Sequence, residues 1–337
     1  MLRVKDLPDL GACGRVLVVK PSSLGDIVHT LPAVHLLKRR WPGMELVWVV
    51  NPEFAPLLAG NADVAEVVMF PRGEFRGWRG MGRFAGWLRG LRERVGAVDL
   101  ALDFQGLLRS GLMSRASGAW AVVGMSDSRE GARWFHGHVV LVEAGAHAVE
   151  RNLAMVRALG ADGQVEFALP EGSEPAGLGE AAAGGYVLLH PFSRGEGKSL
   201  TREQVRLFCE AMGARTVVVV GRLTGDRLAL PSGAVDLVNG TTLPELAWLM
   251  RRAAYTVSVD SGPMHMAAAL SPRVLGIHTW SDPRKVGPWD REAYVWKSGR
   301  FMKCGALDAA LCSGGRPVAD DDIGAIAEFV MGRLGGG

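Results

Sequence analysis

The chain is poor in several features that would settle its class at once. It has only four cysteines in 337 residues, Cys13, Cys209, Cys304 and Cys312. Cys304 and Cys312 are near enough in sequence to meet, but none makes a C-x-x-C pair or stands beside a histidine cluster, so neither a disulfide framework nor a structural zinc site is expected. Its longest apolar runs, at residues 16–19 and 216–220, are far too short to span a bilayer. The first fourteen residues lack the apolar core of a secretory signal. These absences point to a cytosolic protein with reduced thiols. The formal net charge is only +3, too small by itself to argue for nucleic acid. Neither half opens with G-x-G-x-x-G, which disfavours a dinucleotide-dependent oxidoreductase.

What is present is a strand–helix alternation. Hydrophobic residues make up 48% of the chain, enough for two ordinary cores. Apolar, β-branched runs at 15–20, 46–50, 65–70, 98–104 and 121–124 read as strands. Amphipathic stretches at 26–40 and 150–159 read as helices. The segment 170–185 is rich in Gly, Ala, Pro and Glu and reads as a linker. The pattern then restarts, with strands at 186–190, 216–220, 235–238, 255–259 and 273–278. Helices are expected at 201–212, 244–252, 263–270 and 320–334. Such alternation predicts an α/β chain with parallel sheets covered by helices on both faces.

The two halves open alike, on an apolar strand followed by a polar residue, Pro, Ser and Gly. The first reads LVVKPSSLGD and the second VLLHPFSRGEG. Ligands of open α/β sheets bind at the carboxyl ends of strands, so both loops are expected to face a cleft between the domains. In the first loop Gly25 permits close backbone approach. Asp26 could take the proton of an attacking hydroxyl; equally, Ser23-x-x-Asp26 has the form of a capping box that merely satisfies backbone donors. In the second, GKS at 197–199 hints at a P-loop, but the pattern needs Gly where Phe192 stands, and Thr201 with Gln204 forms its own cap beyond Lys198. ATPase chemistry is therefore rejected. Lys198 is left as a phosphate clamp or a solvated surface lysine.

The most informative stretch is VSVDSGPMHMAAAL, residues 257–270. A strand runs through Asp260, Ser261 and Gly262 into a helix that begins at Pro263. The unsatisfied N–H groups and positive dipole end of that helix suit a diphosphate. Ser261 can add a hydroxyl, and His265 lies about one turn in. The competing reading is a well-capped buried helix with a satisfied histidine. A basic stretch follows Phe70, with Arg72, Arg76, Arg79, Arg83, Arg89, Arg92 and Arg94 interleaved with Trp78, Phe84 and Trp87. It suits carboxylate or phosphate recognition, an anionic membrane surface, or simply a solvated helix face. Gln105 and Arg109 follow the strand at 98–104 and are expected at a cleft-facing end; Arg109 could equally be a structural salt-bridge residue.

Taken with LDFQGLLRSG at 102–111 and VLVVKPSSLGDIVHTLPAVHLLK at 16–38, the 257–270 stretch resembles glycosyltransferase family 9, the lipopolysaccharide heptosyltransferases. The resemblance implies a GT-B fold, two Rossmann-like domains facing across a cleft. Residues 1–172 would bind acceptor and 173–319 the nucleotide sugar, with helix 320–337 packing back toward the N-terminal domain. It implies an inverting, metal-independent transfer from ADP-L-glycero-β-D-manno-heptose to the anionic lipopolysaccharide inner core, onto Kdo or heptose, with no cofactor. Asp26 would be the general base. Lys198, Asp260, Ser261, Gly262, His265 and Ser193 would hold the donor. An acidic residue after the fourth strand of the second domain would grip ribose or heptose, matched here by Asp226. Ser23, Gly25, Gln105, Arg109, Arg72 and Arg76 would meet the acceptor. Peripheral contact with the cytosolic face of the inner membrane, and no nucleic acid, complete the expected partners. Two alternatives are kept. One is a related glycosyltransferase with another donor or acceptor; the other is a catalytically silent nucleotide-sugar-binding protein.

Overall fold

The computed structural model describes residues 7–179 and 185–335. Residues 180–184 of the expected linker lie outside the described residues. The chain divides into two compact units, Met1–Pro170 and Glu171–Gly337.

The first unit is built on a parallel sheet of six strands: β1 (Arg15–Val19), β2 (Glu45–Val50), β3 (Glu66–Met69), β4 (Leu100–Asp103), β5 (Ala121–Met125) and β6 (His138–Val140). The order is β3-β2-β1-β4-β5-β6, and every pairing is parallel. Val16–Val19 and Leu46–Val50 are buried throughout, as continuous apolar runs should be in a sheet covered on both faces. The order reverses between β1 and β4, the topological switch at which ligands of such sheets bind. Helix Leu24–Arg40 follows β1 and ends on Lys38, Arg39 and Arg40, which complement its negative dipole end. Pro32 deletes one helical N–H; beside it Asn152 Nδ2 donates to His29 O (3.0 Å) and Thr30 Oγ1 (3.1 Å), joining this helix to Ala148–Ala158.

The basic stretch forms helix Gly77–Arg89. Its inner face closes an aromatic cluster in which Phe70 stacks on Phe75 at 5.0 Å and meets the Trp87 edge at 5.1 Å. Gly80 lies so close to the Phe75 backbone that a Cβ would stand 2.3 Å from its carbonyl carbon. Trp78 and Met81 face outward, 75% and 66% exposed.

The second unit carries seven strands: β7 (Tyr186–His190), β8 (Thr216–Gly221), β9 (Ala234–Val238), β10 (Tyr255–Val259), β11 (Val274–Ile277), β12 (Tyr294–Lys297) and β13 (Arg300–Lys303). The order is β13-β12-β11-β10-β7-β8-β9. All pairs are parallel except β12 with β13. Those two form a hairpin over Ser298 and Gly299, both at positive φ (52° and 84°), the geometry a two-residue turn demands. Helix Asp320–Leu334 commits its apolar face to this unit: Ile323, Ile326, Ala327 and Val330 are buried with Phe208, Val187 and Leu189. Gln204 Nε2 holds its start, donating to Val318 O (2.9 Å) and Asp320 Oδ1 (3.0 Å).

Candidate active site

In the first unit, the loops at the carboxyl ends of β1, β2, β3 and β4 are joined by hydrogen bonds. Ser22 N donates to Gln105 Oε1 (3.4 Å), Arg72 Nη1 donates to Ser22 Oγ (3.3 Å), and Pro21 O accepts from Asn51 N (3.0 Å). Ser23 is the N-cap of helix Leu24–Arg40, with Gly25 buried in its first turn. Asp26 Oδ2 accepts from Ser23 N (3.0 Å) and Ser23 Oγ (2.7 Å). The capping box is therefore real. It does not remove the carboxylate from solvent: the Asp26 side chain is 45% exposed, and its other oxygen lies 3.7 Å from Lys20 Nζ. A cap and a poised carboxylate are here the same group.

The β4 loop owes its shape to Asp103. Its Oδ1 accepts from Gln105 N (3.0 Å) and Gly106 N (2.9 Å), an Asx-type turn. Its Oδ2 accepts from Ser110 Oγ (3.0 Å) and His136 Nε2 (2.9 Å). Asp103 and His136 side chains are fully buried. Gly124 makes room for the imidazole, since a Cβ there would stand 2.1 Å from His136 Nδ1. Gly106, at φ +66°, presents its carbonyl to Arg129 N at 2.8 Å. This scaffold aims Gln105 at Ser22. Arg109 makes a structural hydrogen bond, and no salt bridge of it occurs among the described residues: its Nη2 donates to Phe75 O (3.2 Å) and its guanidinium lies 5.7 Å from the Phe84 ring centre. Arg76 is exposed at the N-cap of helix Gly77–Arg89.

In the second unit, the β7 loop is closed on itself. Ser193 N donates to Ser199 Oγ (2.9 Å), which donates back to Ser193 O (3.1 Å). Gly195 and Gly197 adopt positive φ (107° and 68°). Ser193 Oγ donates to Asp260 O (2.6 Å), and Lys198 Nζ donates to Asp260 Oδ2 (2.8 Å). The helix begins only at Arg202, capped reciprocally by Thr201 and Gln204, so Lys198 lies on the loop, outside any P-loop geometry.

Asp260 is mostly buried, and its Oδ2 also accepts from Ser281 Oγ (2.7 Å). Burial opposes its charge, but His278, Lys198 and Ser281 outweigh that and hold its carboxyl below the usual range. The carboxylate is thus an anchor for Lys198. Because Ser281 spends its proton on Asp260, His278 Nδ1 must donate to Ser281 Oγ (2.9 Å). His278 is fully buried, and burial pushes it down to about 4. His190, at the end of β7, is also pushed down to about 4 by burial. Its Nδ1 lies 3.3 Å from Ser261 Oγ. Ser261 caps helix Gly262–Leu270 by position, with no side-chain cap bond, and its hydroxyl turns to His190 and Ser258. Pro263 has no N–H and Met264 N donates to Ser261 O (3.1 Å), which leaves Gly262 to present its amide at that tip; the His265 side chain is buried. Trp280, 51% exposed, lies against Gly197, with Nε1 3.3 Å from where a Cβ would stand.

Asp226 requires a correction. It follows β8, the second strand of its unit and not the fourth. It sits in an exposed loop held by Arg202 Nη1 donating to Asp226 O (2.6 Å). Sequence reasoning missed Lys20, Asp103, Gly124 and His136; the Asp-x-x-Gly of the β4 loop was the available signal for the second of these.

The two depressed histidines set an acid limit on stability. Each takes up its proton near 6.5 when unfolded but only near 4 when folded. Their contribution is complete above pH 6.5 and is lost as pH falls toward 4, at about 1.4 kcal/mol per pH unit each. Melting temperature should fall more steeply across that window in the wild type than in His190→Gln; equal slopes would contradict the assignment.

The description "Glycosyltransferase family 9 (heptosyltransferase)" matches residues 88–185 and 197–306, well over half of the chain. The chain belongs to glycosyltransferase family 9. It is accordingly a glycosyltransferase enzyme, and the oxidoreductase reading falls. Lipopolysaccharide heptosyltransferase 1 of Pseudomonas aeruginosa is 32% identical, with 82% of each protein covered. The Escherichia coli protein of that name is 28% identical, over 85% of this chain and 94% of its own. Among solved structures, E. coli heptosyltransferase WaaC with ADP superposes with a TM-score of 0.73 at 23% identity, covering 95% and 99% of the two chains. WaaC with ADP-2-deoxy-2-fluoro heptose gives 0.69 at 25% identity, over 84% and 93%. The fold of this family 9 chain is GT-B, with two parallel-sheet units. The matched segments begin at residue 88, so the Asp26 loop is placed by the structure and not by the family description. No group of three or more His, Cys, Asp or Glu able to hold a metal occurs among the described residues, and no helix among them is long and apolar enough to cross a membrane.

Proposed function

We propose that this glycosyltransferase moves a heptose from ADP-L-glycero-β-D-manno-heptose to the lipopolysaccharide inner core, onto Kdo or heptose, with inversion and without a metal. The observation that carries the chemistry is the Asp26 carboxylate, fixed by Ser23 at the switch point of the first sheet yet 45% exposed. The relatives named lipopolysaccharide heptosyltransferase 1 support the donor and acceptor. In this reading the acceptor hydroxyl gives its proton to Asp26 as its oxygen attacks the anomeric carbon. The bond from that carbon to the diphosphate breaks, and ADP leaves with the electron pair. Lys198, anchored by Asp260, and the positive end of helix Gly262–Leu270, with Gly262 at its tip, stabilise the departing charge. Ser261 and Ser193 shape that cradle. Ser23, Gly25, Gln105, Arg72 and Arg76 meet the anionic acceptor, with Arg109 bracing the segment that carries them.

The acceptor is a glycolipid, so the enzyme works in the cytoplasm against the inner-membrane face. Exposed Trp78 and Met81 among Arg72, Arg76, Arg79, Arg83 and Arg89 support that contact. The test is a panel of nucleotide sugars with a defined Kdo-lipid acceptor, read by mass spectrometry. ADP-heptose should give a product heavier by one heptosyl unit. Product from another donor in its place would overturn the donor; ADP binding without any product would favour a silent binding protein.

A further inference from the structure

Lys20 directly follows β1 and is 3% exposed. A buried ammonium is costly unless it is paired and hydrogen-bonded. Nζ donates to Phe104 O at 2.9 Å and stands 3.7 Å from Asp26 Oδ1. Its own carbonyl accepts from Trp48 Nε1 at 3.1 Å, which fixes the backbone from the β2 side. Asp26 is therefore held at both ends, Oδ2 by Ser23 and Oδ1 toward Lys20. Through Phe104 O the same ammonium ties Asp26 to the loop that Asp103 shapes and that carries Gln105.

We infer that Lys20 is a positioning residue for glycosyl transfer, a buried cation that orients the Asp26 carboxylate and keeps it ionised for the incoming hydroxyl. The inference rests on Asp26 being the base. Burial pushes the Lys20 ammonium below its ordinary value, and Arg151, itself paired with Asp127, adds to that; Asp26 and Asp103 work the other way and favour its charge. A lysine needed only to satisfy Phe104 O would serve as well without its charge, and that difference is measurable.

The experiment is the pH profile of kcat/KM for the wild type, Lys20→Met, Lys20→Gln, Lys20→Arg and Asp26→Asn, with ADP affinity and melting temperature as controls. Lys20→Gln keeps a donor for Phe104 O and serves if Lys20→Met does not fold. Removing a cation within 4 Å of a carboxylate raises its pKa by about one unit or more. Both neutral variants should therefore move the acid limb up by about one pH unit. They should lose about tenfold below the wild-type limb and far less above pH 8, with ADP affinity unchanged. Lys20→Arg should restore the limb. Folded neutral variants whose acid limb stays in place would overturn the role of Lys20 while leaving Asp26 standing. Wild-type turnover by Asp26→Asn would sink the base assignment itself.

Discussion

Asp26→Asn should lower kcat by about 10²–10⁴-fold, the span a positioned general base contributes, while ADP affinity stays near wild type and melting temperature falls less than in Asp26→Ala. The reason stability survives is local. Oδ2 of Asp26 accepts from Ser23 N and Ser23 Oγ, and an asparagine oxygen can accept the same bonds, so the helix keeps its cap. What asparagine cannot do is take a proton from a sugar hydroxyl. Asp26→Ala separates the two roles: it should match the loss of turnover and in addition cost about 1 kcal/mol as the cap goes. Kinetics of product formation beside thermal melts decide the matter. If Asp26→Asn loses as much stability as Asp26→Ala, the carboxylate is a cap with no further duty established, and substantial turnover in either variant would move the base elsewhere.

The parts legible in the sequence were those whose residue type follows from a single local rule. Runs such as Val16–Val19 and Thr216–Val220 announced buried parallel strands because both faces of such a sheet are apolar. Thr201 and Gln204 announced the start of their helix because reciprocal capping fixes the spacing. Helix Leu108–Ala116 gave no such signal. It buries Ser110, Gly111, Met113 and Ser114, small or polar groups without an apolar stripe. The β12–β13 hairpin hid in two four-residue strands around Ser298-Gly299.

The site divides the same way. Asp26, Lys198, Ser261 and His265 sit in motifs, so their residue numbers could be read directly. The network behind them could not, because it joins residues distant in sequence: Lys20 to Phe104, Asp103 to His136, Lys198 to Asp260, Asp260 to Ser281. Two readings that competed in the sequence also proved compatible. Ser23-x-x-Asp26 is a capping box and still presents a carboxylate, because a carboxylate has two oxygens and the cap occupies one. For Asp260 the structure changes the sense of the assignment. Its Oδ2 is occupied by Lys198 and Ser281, and a negative group has no direct attraction for a diphosphate. In the proposed mechanism its contribution to donor binding therefore runs through the lysine it holds.

That geometry makes the outcome of Lys198→Met specific. Loss of a fixed cation from a leaving diphosphate should reduce kcat/KM by about 10²–10³-fold, comparable with removing one donor from an anion-stabilising site, and weaken ADP. It should also leave the mostly buried Asp260 carboxylate with Ser281 as its remaining side-chain donor among the described residues, at a cost of up to about 3 kcal/mol in stability. Asp260→Asn should recover much of that stability in the double variant, since the stranded charge is gone, but no activity, since the cation is still missing. Asp260→Asn alone should keep Lys198 charged yet unanchored and lie between wild type and Lys198→Met in kcat/KM. Melting temperatures give one cycle and kcat/KM the other. The pair is a phosphate clamp only if the two cycles disagree in this way. Stability and activity falling and recovering together across the four proteins would make Lys198–Asp260 a structural ion pair of the β7 and β10 loops, and the charge of the departing diphosphate would have to be met by the helix tip alone.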